Sequence, residues 1–173
     1  MSVIIDLRCS DPTLDGKKFM APLVFNDLQS LKELVGREIG ASEWFCVTPE
    51  RVDCFAEATG DRQWIHLDHE RASKESPYGG TIAHGFLTLS LISHLMKDVM
   101  EIRGGVRLAV NYGLNRVRFP AAVRTDSRVR ALVTLLALKE LPDCAEAIYA
   151  VTVEIDKSDK PGCVAEWIVR YYR

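Results

Sequence analysis

Hydrophobic and polar positions divide this 173-residue chain into segments of different periodicity. Residues 1 to about 25 show little sustained periodicity, helical spacing recurs in segments between about 26 and 100, and strand-like runs follow. Phe25, Leu28, Leu31, Leu34 and Val35 recur at helical intervals and predict a short helix over about 26–35, broken by Gly36 and Gly40. Ala41 to Val47 reads as a strand. Thr48-Pro49 then starts a helix, with threonine at the cap and proline at the first helical position. Arg51 stands where a capping box would want Glu or Gln. Val52, Phe55, Ala56 and Ala58 form its inner face, and Gly60 ends it. Residues 61–80 read as a long loop with one short turn near 68–74, a length that ordinarily has a functional reason.

From His84 to about Met100 the chain is apolar almost all round, through Phe86, Leu87, Leu89, Leu91, Ile92, Leu95, Met96 and Val99. Such a pattern predicts one long helix surrounded by protein. Beyond Gly104-Gly105 four strands are predicted, at about 106–119, 127–140, 144–156 and 163–172. In the third, Ala147, Tyr149, Val151, Val153 and Ile155 alternate with Ile148, Ala150, Thr152 and Glu154. In the fourth, Val164, Trp167, Val169 and Tyr171 cannot share one face by strict alternation, which suggests a bulge. Long strands with hairpin links imply an antiparallel sheet, so the class is α+β, with the sheet wrapped around one buried helix. Residues 1–25 carry the turn signals Asp11-Pro12 and Asp15-Gly16 and read as an N-terminal arm; residues 26–173 form one domain.

Composition narrows the class further. Apolar residues are 47% of the chain, ample for one core, and the formal charge of -2 argues against a general affinity for nucleic acid. No apolar run is long enough for a membrane helix. The first residues lack a charged start followed by a long apolar region, so no secretory signal is visible and a cytoplasmic setting is expected. Cys9, Cys46, Cys54, Cys144 and Cys163 are odd in number and never at C-x-x-C spacing. They are expected to be reduced and mostly buried.

Candidate chemistry concentrates in two short stretches, Gly60-Asp61-Arg62-Gln63-Trp64-Ile65-His66 and Ile82-Ala83-His84-Gly85. An aspartate after a helix-ending glycine is ordinarily a turn former, and an isolated histidine is ordinarily structural. A carboxylate and an imidazole five residues apart are more informative together. Flanked by Ile65 and Leu67, His66 is expected near the core, where neighbours set its pKa and tautomer. Gly85, at a helix start, would let a substrate approach free backbone N–H groups that can hold an oxyanion; equally, it would allow tight packing. Asp61, His66 and Gly85 therefore supply the parts for activating water beside a polarised carbonyl. His66, Asp68, His69 and His84 raise a metal reading too. Their spacing is not H-E-x-x-H, and Asp68-His69 fall on a predicted exposed turn, so no metal is expected. Arg116 with Arg118, and Arg128 with Arg130, share strand faces; they read as a solvated face or as contacts for the phosphates of a carrier.

On these residues the chain resembles the MaoC-like dehydratases, the (R)-specific enoyl-CoA hydratases of hotdog fold. That signature runs approximately Gly-Asp-x-Asn-Pro-Ile/Leu-His, then Ile-Ala/Val-His-Gly at a helix start. Gln63-Trp64 replaces Asn-Pro here, and Asn111-Tyr112-Gly113-Leu114-Asn115-Arg116-Val117-Arg118-Phe119-Pro120 is similar to the nodulation-protein-N-like branch. The resemblance covers about residues 30–173. It implies a hotdog: a long central helix wrapped by a curved antiparallel sheet, with two copies joined edge to edge as a homodimer. It also implies a catalytic pair, Asp61 and His66, and substrate contacts from Gly85, Gln63 and His84, with the Gly85 N–H on the thioester oxygen. The implied reaction is hydration of a trans-2-enoyl thioester of coenzyme A or acyl carrier protein to the (3R)-hydroxyacyl thioester, or its reverse, without a cofactor. Thioester hydrolysis and a non-catalytic acyl- or partner-binding subunit are the alternatives. Gln63 offers the family's amide one methylene further out, and loss of the proline is expected to reshape the loop.

Overall fold

The computed structural model describes residues 21–173. Residues 1–20 of the expected arm lie outside the described residues. Its last part, Leu23–Phe25, is strand β1, paired in parallel with β4, Met100–Ile102. The helix expected over 26–35 is a 3-10 helix, Gln29–Leu34, with Leu31 fully buried beneath it. The strand expected over 41–47 is only the two-residue β3 (Phe45–Cys46), and a further strand, β2 (Arg37–Ala41), precedes it where a break was expected. Both pair with β6, and β2 is bulged between Glu38 and Gly40, so its glycine is a strand irregularity rather than a breaker.

Helix α1 spans Pro49–Thr59. Thr48 caps it through an extended backbone, with no side-chain cap bond, and Gly60 ends it at φ +75, a left-handed conformation suited to glycine. The predicted loop that follows is partly helical. It holds α2, Trp64–Leu67, and α3, His69–Glu75, the latter capped by Asp68, whose Oδ1 accepts from Arg71 N at 2.9 Å. Elements of one and two turns leave too short a periodic pattern to be read from sequence.

The apolar helix expected from His84 to Met100 is α4, Gly85–Ser90, followed through Leu91 by α5, Ile92–Val99. Only one side is buried, through Leu87, Leu91, Ile92, Leu95, Met96 and Val99; Phe86 is 70% exposed. The four long strands are β5 (Leu108–Arg118), β6 (Arg128–Glu140), β7 (Cys144–Ile155) and β8 (Cys163–Tyr172). They belong to a six-stranded antiparallel sheet of order β2-β6-β7-β8-β5, with β3 also on β6.

The buried face of β7 is the predicted set from Ala147 to Ile155, joined by Ala145. Strand β8 is regular where a bulge was suggested. Cys163, Ala165, Trp167, Val169 and Tyr171 are buried in strict alternation, and Val164 lies on the other face. The irregularities fall instead on β5, on either side of Gly113-Leu114, and on β6 beyond Leu135. The concave face packs on α4 and α5 in one hydrophobic core, which is the hotdog arrangement.

The opposite face carries cross-strand ion pairs: Arg128–Asp156 at 2.7 Å, Arg130–Glu154 at 2.6 Å and Arg170–Glu146 at 2.9 Å. Arg128 and Arg130 therefore have the solvated-face role. Cys46, Cys144 and Cys163 are buried, as expected, and burial pushes the Cys163 thiol up to about 11; Cys54 is exposed. Among the described residues, no helix is long and apolar enough to cross a membrane.

Candidate active site

The site forms where three chain segments meet at the start of α4. The first leaves α1 at Gly60, whose left-handed turn puts Asp61 immediately after the helix. Asp61 N donates to Thr59 Oγ1 at 3.4 Å, and Asp61 Oδ1 accepts from Gln63 N at a long 3.5 Å. The carboxylate thus lies exposed at the rim, lightly held by its own turn.

The second segment is α2, whose single turn carries His66 inward to 7% exposure. Ile82 fixes this helix from the third segment. Its N–H donates to Ile65 O at 3.0 Å, and its carbonyl lies 2.7 Å from His66 Nδ1. A carbonyl can only accept, so Nδ1 carries the proton and the neutral ring keeps its Nε2 lone pair for chemistry. Burial holds the His66 pKa below the ordinary 6.5. The Ile82 carbonyl opposes that shift, neighbouring His84 adds to it, and Asp61 opposes it.

His84 precedes α4 in extended conformation and is 3% exposed. Its Nε2–H donates to the backbone carbonyl of Asp61 at 2.9 Å, and its ring stacks on His66 with centroids 3.7 Å apart. Phe55 of α1 packs on it at 5.1 Å. Its Nδ1 is buried with no hydrogen-bond partner among the described residues. Asp61, His66 and His84 hold their ligand-capable atoms within 4.8 Å of one another. Within this cluster, His66 Nδ1 and His84 Nε2 are committed to the carbonyls of Ile82 and Asp61. Asp68 and His69 stand outside this cluster: Asp68 caps α3, and His69 Nδ1 bonds Thr81 Oγ1 at 3.1 Å.

Gly85 is the first residue of α4, so its N–H is among those with no partner within the helix. A Cβ at this position would stand 3.1 Å from Phe119 Cδ2. Close packing, one of the two sequence readings of this glycine, is thus present against Phe119. The side chain of Gln63 is exposed; its backbone N–H is what reaches Asp61.

Sequence reasoning missed Phe119 over Gly85 and the Ile82 carbonyl on His66. The first had a signal in Phe119-Pro120 at a strand end. The second is a main-chain contact, which no side-chain pattern announces.

A hotdog fold here gathers a carboxylate and an oriented imidazole beside the segment that enters α4. The chain belongs to the MaoC-like domain family, whose model matches residues 30–156. It is 49% identical over 148 residues to 3-hydroxyacyl-thioester dehydratase Z of Mycobacterium tuberculosis (strain ATCC 25618 / H37Rv), covering 85% of this chain and 97% of that protein. It is 44% identical over 142 residues to nodulation protein N of Rhizobium leguminosarum bv. viciae, covering 82% and 88%. The unliganded R-hydratase PhaJ1 from Pseudomonas aeruginosa has the same fold, with a TM-score of 0.64 at 23% identity over 80% of this chain and 82% of that one.

Proposed function

We propose that this chain is a hydro-lyase that interconverts a trans-2-enoyl thioester and its (3R)-hydroxyacyl thioester. The observation that carries this reading is the convergence of Asp61 with a buried His66 whose Nδ1 is committed to Ile82, leaving Nε2 for proton transfer. One water is held between Asp61 and His66. As its oxygen bonds to C3, His66 Nε2 takes a proton, electron density moves onto the thioester oxygen, and the pair returns a proton to C2. The Gly85 N–H steadies the enolate charge on that oxygen. Dehydration is the same sequence reversed: C2 loses its proton and the C3 hydroxyl leaves as water. His84 supports the turn that presents Asp61, and Gln63 contributes through its backbone.

The related dehydratases support the reaction class; the carrier, coenzyme A or acyl carrier protein, and the acyl length belong to the proposal. Every β5 residue is exposed or half-exposed, including Leu108, Val110, Tyr112 and Leu114 on this open sheet edge. An uncovered apolar edge supports a homodimer joined through β5. Residues 26–173 act as one domain of a cytoplasmic enzyme.

Incubation with crotonyl-CoA tests the reading. Loss of enoyl absorbance without free thiol, with a (3R)-hydroxybutyryl product, is the expected result. Thiol release would mean hydrolysis, and no turnover across a range of acyl lengths would favour a binding subunit.

A further inference from the structure

We propose that Trp64 is a positioning residue: its ring, stacked beneath Arg71, clamps α2 onto α3 and so holds the loop that presents Asp61 and His66. The inference rests on the catalytic reading of those two residues.

Helix α2 has four residues, Trp64–Leu67. One turn is not stable alone, because helix nucleation fixes several residues for each bond gained. Its internal support is small: Asp68 N donates to Trp64 O at 2.9 Å, and His66 N to Gln63 O at 3.0 Å. Asp61 upstream is held by its own long contacts at 3.4 and 3.5 Å and, through its carbonyl, by His84 Nε2 at 2.9 Å. Ile82 ties the far side of α2 to the third segment, through Ile65 O at 3.0 Å and His66 Nδ1 at 2.7 Å, and the tether toward α3 is the guanidinium of Arg71, whose Cζ lies 4.3 Å from the centroid of the Trp64 ring. Arg71 is itself held in place. Its Nε donates to Glu75 Oε2 at 2.9 Å within α3, and its backbone N–H binds Asp68 Oδ1 at 2.9 Å. Trp64, Asp68 and Arg71 thus close a ring of contacts across the α2–α3 junction. An indole face and a planar cation suit this contact.

The backbone at this position offers an independent check. Trp64 is the first residue of α2, where an N–H needs no helical partner and proline fits. Gln63 before it sits at φ -58, ψ 136, the extended conformation that a residue preceding proline prefers. A proline at 64 would therefore stiffen the same turn without the clamp. If Trp64 acts by holding α2, Trp64→Pro should substitute for it; if the indole contacts substrate, it should not.

The test compares Trp64→Ala, Trp64→Pro, Arg71→Ala and Arg71→Lys in crotonyl-CoA hydration, with hydrogen exchange at the amides of His66 and Asp68. For Trp64→Ala and Arg71→Ala, kcat should fall about 3- to 10-fold with KM changed less than about two-fold. Exchange at the two amides should rise several-fold. Trp64→Pro should recover most of kcat, and Arg71→Ala should add nothing to Trp64→Ala. Arg71 is half-exposed, so its variants keep the test open if Trp64→Ala fails to fold. Exchange and kcat unchanged in Arg71→Ala would overturn the clamp, as would Trp64→Pro no better than Trp64→Ala. Faster exchange with undiminished kcat would overturn the positioning role. Should Asp61→Asn and His66→Gln leave hydration intact, the catalytic reading fails, while the exchange rates still judge the clamp.

Discussion

His84 donates its Nε2–H to the main-chain carbonyl of Asp61 at 2.9 Å, across 23 residues of sequence. The bond joins the entrance of α4 to the exit of α1. It holds in place the turn from which the Asp61 carboxylate projects, and it makes His84 a support for the site through main chain. Replacing His84 by Ala should remove that bond and the ring packed between His66 and Phe55. The expected result is a loss of about 1–3 kcal/mol in denaturant-unfolding stability and a roughly ten-fold or smaller fall in kcat. His84→Gln, which keeps a donor, should retain more activity. Activity lost a thousand-fold with stability intact would instead make His84 a participant in proton transfer.

Removing either group proposed to handle the proton should cost far more than removing their support. Asp61→Asn keeps the shape of the side chain and abolishes its charge. His66→Gln keeps a donor for the Ile82 carbonyl and abolishes the ring base. Each should lower kcat/KM for hydration by two or more orders of magnitude, the scale of general acid–base contributions. Stopped assays on proteins shown to be folded by circular dichroism check this. Retention of full activity by both variants would defeat the assignment.

Much of this architecture was legible in the sequence, for uneven reasons. Strands β6 to β8 follow from alternation because one sheet face is buried and the other is paired by charge, so each residue type reports its side. Helix α1 follows from Thr48-Pro49 and Gly60, which are local signals with local causes. Strand β2 did not follow, since five residues with a bulge at Glu38/Gly40 break the period of two. Nor did α2 and α3, whose stability comes from tertiary ties such as Ile82 N–H to Ile65 O and Arg71 over Trp64. At the site, the residue types and their spacing pointed to Asp61 and His66. The tautomer of His66 did not follow, because a main-chain carbonyl sets it.

Acidification should act on activity and stability through the same ring. Burial, the largest influence, holds the His66 pKa below 6.5 in the folded protein, whereas the unfolded chain titrates near that ordinary value. Below about pH 6.5 the unfolded state therefore binds the proton first. The stability associated with a neutral His66 is fully present above that pH and is lost as pH falls through the lower folded pKa. Denaturant midpoints should drop over this acidic window, and the His66→Gln variant should show a shallower decline. In hydration, kcat/KM should rise with pH along the same limb. Asp61 favours the charged ring, so Asp61→Asn should move the His66 titration, followed by NMR, to still lower pH.

Gly85→Ala tests whether the start of α4 needs a bare backbone for packing, for chemistry, or for both. An added Cβ would stand 3.1 and 3.2 Å from Phe119 ring atoms, closer than comfortable contact. Phe119 is 41% exposed, so its ring has room to yield. Alanine also gains up to about 1 kcal/mol of helix propensity over glycine, less at a terminus than inside a helix. These effects oppose each other, and the thermal midpoint should change little. Hydration should fall about ten-fold or more, because the methyl and the displaced Phe119 ring crowd the amide proposed to receive the thioester oxygen. Adding Phe119→Leu relieves the contact. If activity stays low in the double variant, the glycine is needed where substrate meets the backbone. If activity returns, the loss in Gly85→Ala came from the Phe119 contact and not from a need for bare backbone at this position.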